Sequence, residues 1–401
     1  MPAAVWVIAV VGFIIAVGFG VMSPVLPVYA RAFGVSTFLV GLVVSSLSII
    51  RLTTMPLAGS LLKRVGPREL AISGNILQAV ATLMLGFADS YGTVLLWRGL
   101  GGFGSALYGV SSMALVFKVA PPHLRGRANA LTAGGFVLGG MAGPALGGLL
   151  SGVSIHFPFF FYAAALACAA LVMIVVLPRT DPPSREQRQA STLKLAEVAR
   201  DRRFRAALAM NFANSWQSNG VRALVVPLFV VEAIGWSTAM TGVAFAIAAT
   251  AQACCLPVTG WAVDKLGRRT VLLVGSTVTA VTGAFMTLVP SYLMLVVLMC
   301  IYAIGASAAG SAAQALLADT VPATAGSALS AFQMAGDSGM IIGPLVAGAV
   351  IDVASMPTAM GLGSVLFIVA GWMAWRVPRH TLPPLGSDDL ATVKAVAPRP
   401  V

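Results

Sequence analysis

The sequence predicts an all-α membrane protein in which twelve transmembrane helices form two pseudo-symmetric six-helix bundles. Three observations predict it. Only 9% of the 401 residues are charged and 58% are hydrophobic, whereas a soluble domain carries roughly 25% charged residues. Long apolar runs recur along the chain, and each crossing needs about 20 such residues. The two halves also repeat one another. Gly59-Ser60-Leu61-Leu62-Lys63-Arg64-Val65-Gly66-Pro67-Arg68 links two apolar runs, as Gly260-Trp261-Ala262-Val263-Asp264-Lys265-Leu266-Gly267-Arg268-Arg269 links two more. Gly143-Pro144 returns as Gly343-Pro344, and Pro27-Val28-Tyr29 as Pro227-Leu228-Phe229. Such a repeat in a membrane chain implies two similar bundles with a site between them, the arrangement of secondary transporters.

The first half, 1–177, holds spans at 5–30, 37–62, 69–90, 93–117, 128–151 and 157–177. The second, 206–377, holds spans at 206–231, 239–262, 269–290, 293–318, 326–352 and 357–376. Between them, 178–205 is polar and charged and reads as a cytoplasmic linker, with 192–200 suited to a short helix on the membrane surface. The tail, 378–401, is rich in Pro, Ala and small polar residues and reads as disordered. The opening Met-Pro-Ala-Ala lacks a basic n-region and a cleavage site, so the first span is expected to be retained.

The net charge of +12 is explained by topology. Lys63, Arg64 and Arg68 follow span two; Lys118, Arg125 and Arg127 follow span four; the densest basic cluster follows span six. Lys265, Arg268 and Arg269 follow span eight, and Arg376 and Arg379 follow span twelve, while the opposite loops hold little beyond Arg31. This is the positive-inside pattern, which places both termini in the cytoplasm of a multi-pass inner-membrane protein. It gives no reason to expect nucleic-acid binding. Cys168, Cys254, Cys255 and Cys300 all lie in apolar runs without metal-ligand spacing, and the three histidines sit in loops or the tail. No nucleophile–base pair, metal cluster or nucleotide motif suggests an enzyme or a cofactor.

Span five carries Gly135, Gly139, Gly143 and Gly147 at intervals of four, with Gly140 and Gly148 beside them. Glycines at that spacing share one face and let another backbone approach, and Pro144 adds a bend. Gly339, Gly343, Pro344 and Gly348 form a weaker copy in span eleven. With these residues the chain resembles the major facilitator superfamily, and within it the twelve-span drug–proton antiporters. Gly139-x-x-x-Gly143-Pro144-x-x-Gly147-Gly148 is similar to the superfamily's antiporter motif, and Gly59 through Arg68 to its loop motif. Arg98-Gly99-Leu100-Gly101-Gly102-Phe103-Gly104 resembles the span-four motif, and Pro24 through Ala30 the first-span motif of the drug exporters. The resemblance implies proton-coupled efflux by a monomer working through alternating access, with the proton gradient as driving force. It also implies a gating role for Gly59, Arg64, Gly66, Arg68, Gly260, Asp264, Gly267, Arg268 and Arg269. Where the family's first loop motif has an aspartate that latches the halves together, this chain has Lys63. The second-half copy keeps an acid, Asp264, so either the latch has moved there or Asp264 caps the next helix or pairs locally.

Ionisable residues inside spans are expensive and mark candidate functional sites. Asp337 is the acid placed deep in the membrane, in span eleven, with Ser330 and Gln333 on its face. It is a candidate for proton coupling, the alternative being a structural ion pair with Arg51 or Arg98. Arg98 is the family's span-four arginine, which the resemblance ties to proton transfer. In span seven, Asn211, Asn214, Ser215, Ser218 and Arg222 fall within about 100° of arc on a regular helix, a stripe that cannot face lipid. It faces either a neighbouring helix or a substrate cavity. Arg51, Gln333 and Tyr108 are further cavity candidates, and Phe13, Met22, Phe103 and Trp216 could supply apolar contacts. A mostly apolar cavity favours small amphiphilic, drug-like substrates. Three intramembrane arginines against one acid favour instead a carrier for an organic anion or other small metabolite.

Overall fold

Proline, glycine and capping side chains set most helix boundaries. The computed structural model describes residues 2–121, 124–177, 200–288, 291–320 and 326–377. The first expected span divides into α1 (Ala3–Met22) and α2 (Leu26–Arg31), since Pro24 offers no N–H to continue the helix. The Ser36 hydroxyl accepts from Leu39 N–H to start α3 (Thr37–Val65). Gly66, at φ 98°, turns the chain into α4 (Pro67–Gly86), a conformation other residues avoid. Ser90 and Thr93 form a capping box for α5 (Tyr91–Val119). Helices α6 (Arg125–Ser151) and α7 (Phe157–Val176) complete the first half.

In the second half, Asp201 caps α8 (Arg202–Asn214), a π-helical turn covers Ser215–Val221, α9 is Arg222–Leu228, and a second π turn covers Phe229–Ala233. Then follow α10 (Thr238–Lys265), α11 (Arg268–Phe285), α12 (Tyr292–Thr320), α13 (Gly326–Val353) and α14 (Met356–Trp375).

Against the twelve spans expected, ten helices among the described residues are long and apolar enough to cross a membrane. The two shortfalls have separate causes. Span 206–231 is divided among α8, α9 and the π turns, so no single helix has the length. Span 269–290 corresponds to α11, only 18 residues long with Arg268 and Arg269 in its first turn. Pro227 does not break the helix; α9 runs through it, and the backbone widens into a π turn beyond, one way of accommodating a missing donor. Residues 200–205, assigned to the linker, largely belong to α8. The rest of the linker and the tail from 378 lie outside the described residues, as does the side chain of Lys63.

The packing repeats as the sequence does. α1 packs on α6 and α7, α3 on α5, and α4 on α5 and α7; in parallel, α8 packs on α13 and α14, α10 on α12, and α11 on α12 and α14. The halves meet through two equivalent pairs, α6 with α10 and α13 with α3. Side chains repeat too: Tyr91 Oη donates to Leu39 O at 3.0 Å, and Tyr292 Oη to Met240 O at 2.9 Å.

The glycine stripes hold these contacts. A Cβ on Gly139 would lie 2.9 Å from Ala16 Cβ, and one on Gly143 would lie 2.5 Å from Val17 O and 2.6 Å from Gly20 Cα. Gly147 lies against Val21. In the second half, a Cβ on Gly339 would lie 2.5 Å from Phe212 O and one on Gly343 2.7 Å from Trp216 O. Each stripe ends by crossing to the other bundle: Gly148 and Pro144 meet Gly242 of α10, and Gly348 and Pro344 meet Thr37, Phe38 and Gly41 of α3. Gly140, by contrast, has open space around it. We expect Gly143→Ala to destabilise the protein by about 1–3 kcal/mol through overpacking, and Gly140→Ala to be neutral or stabilising by up to about 1 kcal/mol through helix propensity. Thermal unfolding of the two variants in detergent should therefore shift in opposite directions or leave Gly140→Ala unmoved.

Candidate functional site

The residues of the span-seven stripe are neither fully buried nor fully exposed: Asn211, Asn214, Ser215, Ser218 and Arg222 are all half-buried, and Asn219 is exposed. The π turn changes their spacing from that of a regular helix, yet leaves them connected. Ser218 Oγ donates to Asn214 Oδ1 at 3.1 Å and lies 2.9 Å from Tyr302 Oη of α12. Arg222 Nε donates to Ser218 O at 3.4 Å, and its guanidinium lies 5.1 Å from the Phe245 ring and 5.3 Å from the Tyr302 ring, distances at which aromatic faces attract cations. Among the described residues it has no carboxylate partner. Asn211 has a packing role: its Nδ2 donates to Phe332 O of α13 at 2.6 Å. Ser215 lies beside Gly336 of the same helix.

One turn away on α13, Asp337 pairs with Arg51 of α3. This is the ion pair anticipated as one of two readings of Asp337, and it joins the bundles across their interface. Gln333 is exposed on the preceding turn. Arg98 is elsewhere, inside the first bundle and 7% exposed, where its electrostatic neighbour is the Tyr162 hydroxyl of α7. Its Nε finds no partner among the described residues. Tyr162 Oη accepts from Gln78 Nε2 of α4 at 2.9 Å. Tyr108 Oη lies against Gly12 of α1. Met22 and Trp216 are 1% and 7% exposed and pack between helices instead of lining a wall.

The two ends of the molecule differ. Away from the basic loops the bundles are pinned together. Arg31 Nε donates to Glu232 Oε1 at 3.0 Å, and the two oxygens of Asp352, at the end of α13, accept from Thr37 N and Phe38 N of α3 at 2.8 Å each. One bundle thus caps a helix of the other. At the basic end, the motif residues pair within their own bundles. Arg68 donates to Leu177 O at 2.7 Å and Ile174 O at 2.6 Å, capping α7. Arg268 lies 2.9 Å from Asp319 and 4.0 Å from Asp264. Asp264 is largely exposed, Arg64 is exposed and Arg269 half-buried, and Gly59 and Gly260 face open space. Gly267, at φ 86°, repeats the turn made by Gly66.

A sequence model described as Major Facilitator Superfamily matches residues 8–221 and 207–398. The chain belongs to the Major Facilitator Superfamily. That superfamily is a class of transporters and not of enzymes. A quinolone resistance protein of Staphylococcus aureus is 31% identical over 169 residues, covering 41% of this chain and 42% of that protein. An uncharacterized transporter of the superfamily from Methanocaldococcus jannaschii is 24% identical over 384 residues, 94% of this chain and 98% of its own. Among solved structures, a bacterial homologue of the human lysosomal transporter Spinster, inward-facing and unoccupied, aligns with TM-score 0.76 at 16% identity over 93% of this chain and 95% of that one. The nucleoside transporter NupG aligns with TM-score 0.72 at 14% identity, covering 93% and 99%. These two likenesses concern the fold.

Sequence reading passed over Asp352, Glu232, Tyr302, Tyr162 and Gln78 as functional residues. The acids sit at span ends, where solvated caps are the usual reading, and Gln78 is a single polar residue in an apolar run. We expect Asp352→Ala to weaken the seal by about 0.5–2 kcal/mol, the value of a lost helix cap. In a cysteine-free background, Ser45→Cys, buried at the α3–α13 interface beside Ile341 O, should then react about 2- to 30-fold faster with an impermeant thiol reagent. An unchanged rate would show that the cap does not hold the end closed.

Proposed function

We propose that this superfamily member carries a small organic anion across the membrane by alternating access of its two bundles. The observation that carries the reading is a charge imbalance. Asp337 already has Arg51, whereas Arg98 and Arg222 lie inside the bundles with no carboxylate among the described residues. A guanidinium held away from water is costly unless paired, and a carboxylate or phosphate on a substrate would supply the missing partner. Arg222 is the better placed of the two: it is half-buried, flanked by the rings of Phe245 and Tyr302, and continuous with Ser218 and Asn214. Its fork can grip an anion with two parallel hydrogen bonds, while the hydroxyls and amides orient the rest of the molecule. In this reading α8, α9 and their π turns make one composite span and α11 another. The full set is then twelve, in two bundles at 1–177 and 206–377, with both termini cytoplasmic and the protein working as a monomer.

A second reading has its own support. The likeness to a quinolone resistance protein over 169 residues and the position of Asp337 favour proton-coupled efflux of amphiphilic compounds. Protonating Asp337 would release Arg51 and loosen the α3–α13 contact, tying the gradient to the opening of the bundles.

The test is flux in proteoliposomes under an imposed pH gradient, with organic anions and amphiphilic drugs as substrates. Anion flux should be saturable, and Arg222→Gln should lower kcat/KM by about 10- to 150-fold, the loss of a charged hydrogen bond worth about 1.5–3 kcal/mol. Drug movement that needs the gradient and disappears in Asp337→Asn, with no anion flux, would replace the first reading by the second.

A further inference from the structure

A groove between α8 and α14 lies outside the proposed transport path. Its end nearest the basic loops is a cavity of about 590 Å³ lined by Arg202, Arg205, Trp372, Met373 and Arg376. All three arginines are exposed and, among the described residues, unpaired with any acid. Arg203, between two of them in sequence, is by contrast buried and held by Asp201 at 2.9 Å. Trp372 is 49% exposed, and the Arg376 guanidinium lies 3.7 Å from its ring centre. Three like charges converging on one space repel one another and call for an anion.

The same two helices continue the groove into the membrane region as a second cavity, of about 300 Å³. Its walls include Ala209, Phe212, Leu366 and Val369, and no polar side chain contributes. From Arg205 to Phe212 the rise along α8 is about 10 Å, so a cationic mouth gives way to an apolar channel within two turns. Val369 is 47% exposed at the periphery of the second bundle. We propose that this groove binds one anionic phospholipid, with its phosphate among Arg202, Arg205 and Arg376, its glycerol region against Trp372, and an acyl chain between Phe212 and Val369. A free phosphate would use only the mouth, and a zwitterionic lipid would bring an ammonium into a cluster of cations. Basic pockets between helices at the membrane surface suit anionic headgroups for this reason, and an interfacial tryptophan suits the boundary between headgroup and chain.

The experiment is native mass spectrometry of the full chain released from nanodiscs containing equal parts phosphatidylcholine and phosphatidylglycerol. The protein should retain phosphatidylglycerol in preference to phosphatidylcholine. The triple variant R202Q/R205Q/R376Q should lose on the order of a hundredfold in apparent affinity, and R205Q alone, a single exposed change, about fivefold. Arg127→Gln, exposed in the first turn of α6, should change nothing, and millimolar inorganic phosphate should not displace the lipid. The proposal falls if R205Q and the triple variant retain phosphatidylglycerol as the parent does, if Arg127→Gln loses it equally, or if phosphate alone displaces it. It also falls if retention begins only when Asp388 and Asp389 are changed to Asn, which would assign the groove to the chain's own tail.

Discussion

Backbone-on-backbone contact between glycine-striped helices is the constraint on which the rest of this structure depends. Helices α6 and α13 each touch their own bundle through Gly139, Gly143 and Gly147 or through Gly339 and Gly343, and each touch the other bundle through the last glycine of the stripe. In hydrocarbon there is no water to expel, so helices associate through close packing and hydrogen bonds. Small residues give the closest packing. At the crossing of Gly148 with Gly242, and of Gly348 with Thr37 and Phe38, the nearest neighbours of each glycine are backbone atoms. The same helices therefore hold each bundle together and join it to the other.

Charge is distributed on this frame in a consistent way. Pairs that join the bundles, Arg31 with Glu232 and Arg51 with Asp337, lie along the shared faces. Pairs near the basic loops, Arg68 with the carbonyls of α7 and Arg268 with Asp319, stay within one bundle. The arrangement holds one end together and leaves each bundle at the other end stabilised on its own account. Arg98 and Arg222 belong to neither set. Their cost is offset locally by tyrosine hydroxyls and aromatic faces, which solvate a cation partially.

Much of this was legible in the sequence because it depends on local composition. The glycine periodicity of α6 and the isolation of Asp337 and Arg51 in apolar runs each correspond to an observed contact, and the repeated loop motif corresponds to the matching turns at Gly66 and Gly267. What was not legible depends on pairing across the fold. Asp352 looks like any acid at a helix end until Thr37, 315 residues earlier, is found donating to it. The division of the seventh span was hidden for another reason: a π turn adds one residue to a helical turn and leaves the hydropathy pattern intact. The stripe that holds Asn211 was open to a neighbouring helix or a cavity, because a helical wheel gives direction and says nothing of which neighbour stands there; Asn211 meets Phe332 of α13.

The carboxylate of Asp352 also bears on how firmly the two bundles hold at this end. It satisfies two N–H groups at the start of α3, groups that any helix leaves open at its first turn. When the ends part, water can take over both donors and the carboxylate as well, so the number of hydrogen bonds is nearly conserved and the net difference is on the order of 1 kcal/mol per bond. The closure is therefore a trade with solvent in which neither state is a deep well. Alternating access as proposed would need that kind of near-degeneracy, and a single acid at a helix end would supply it.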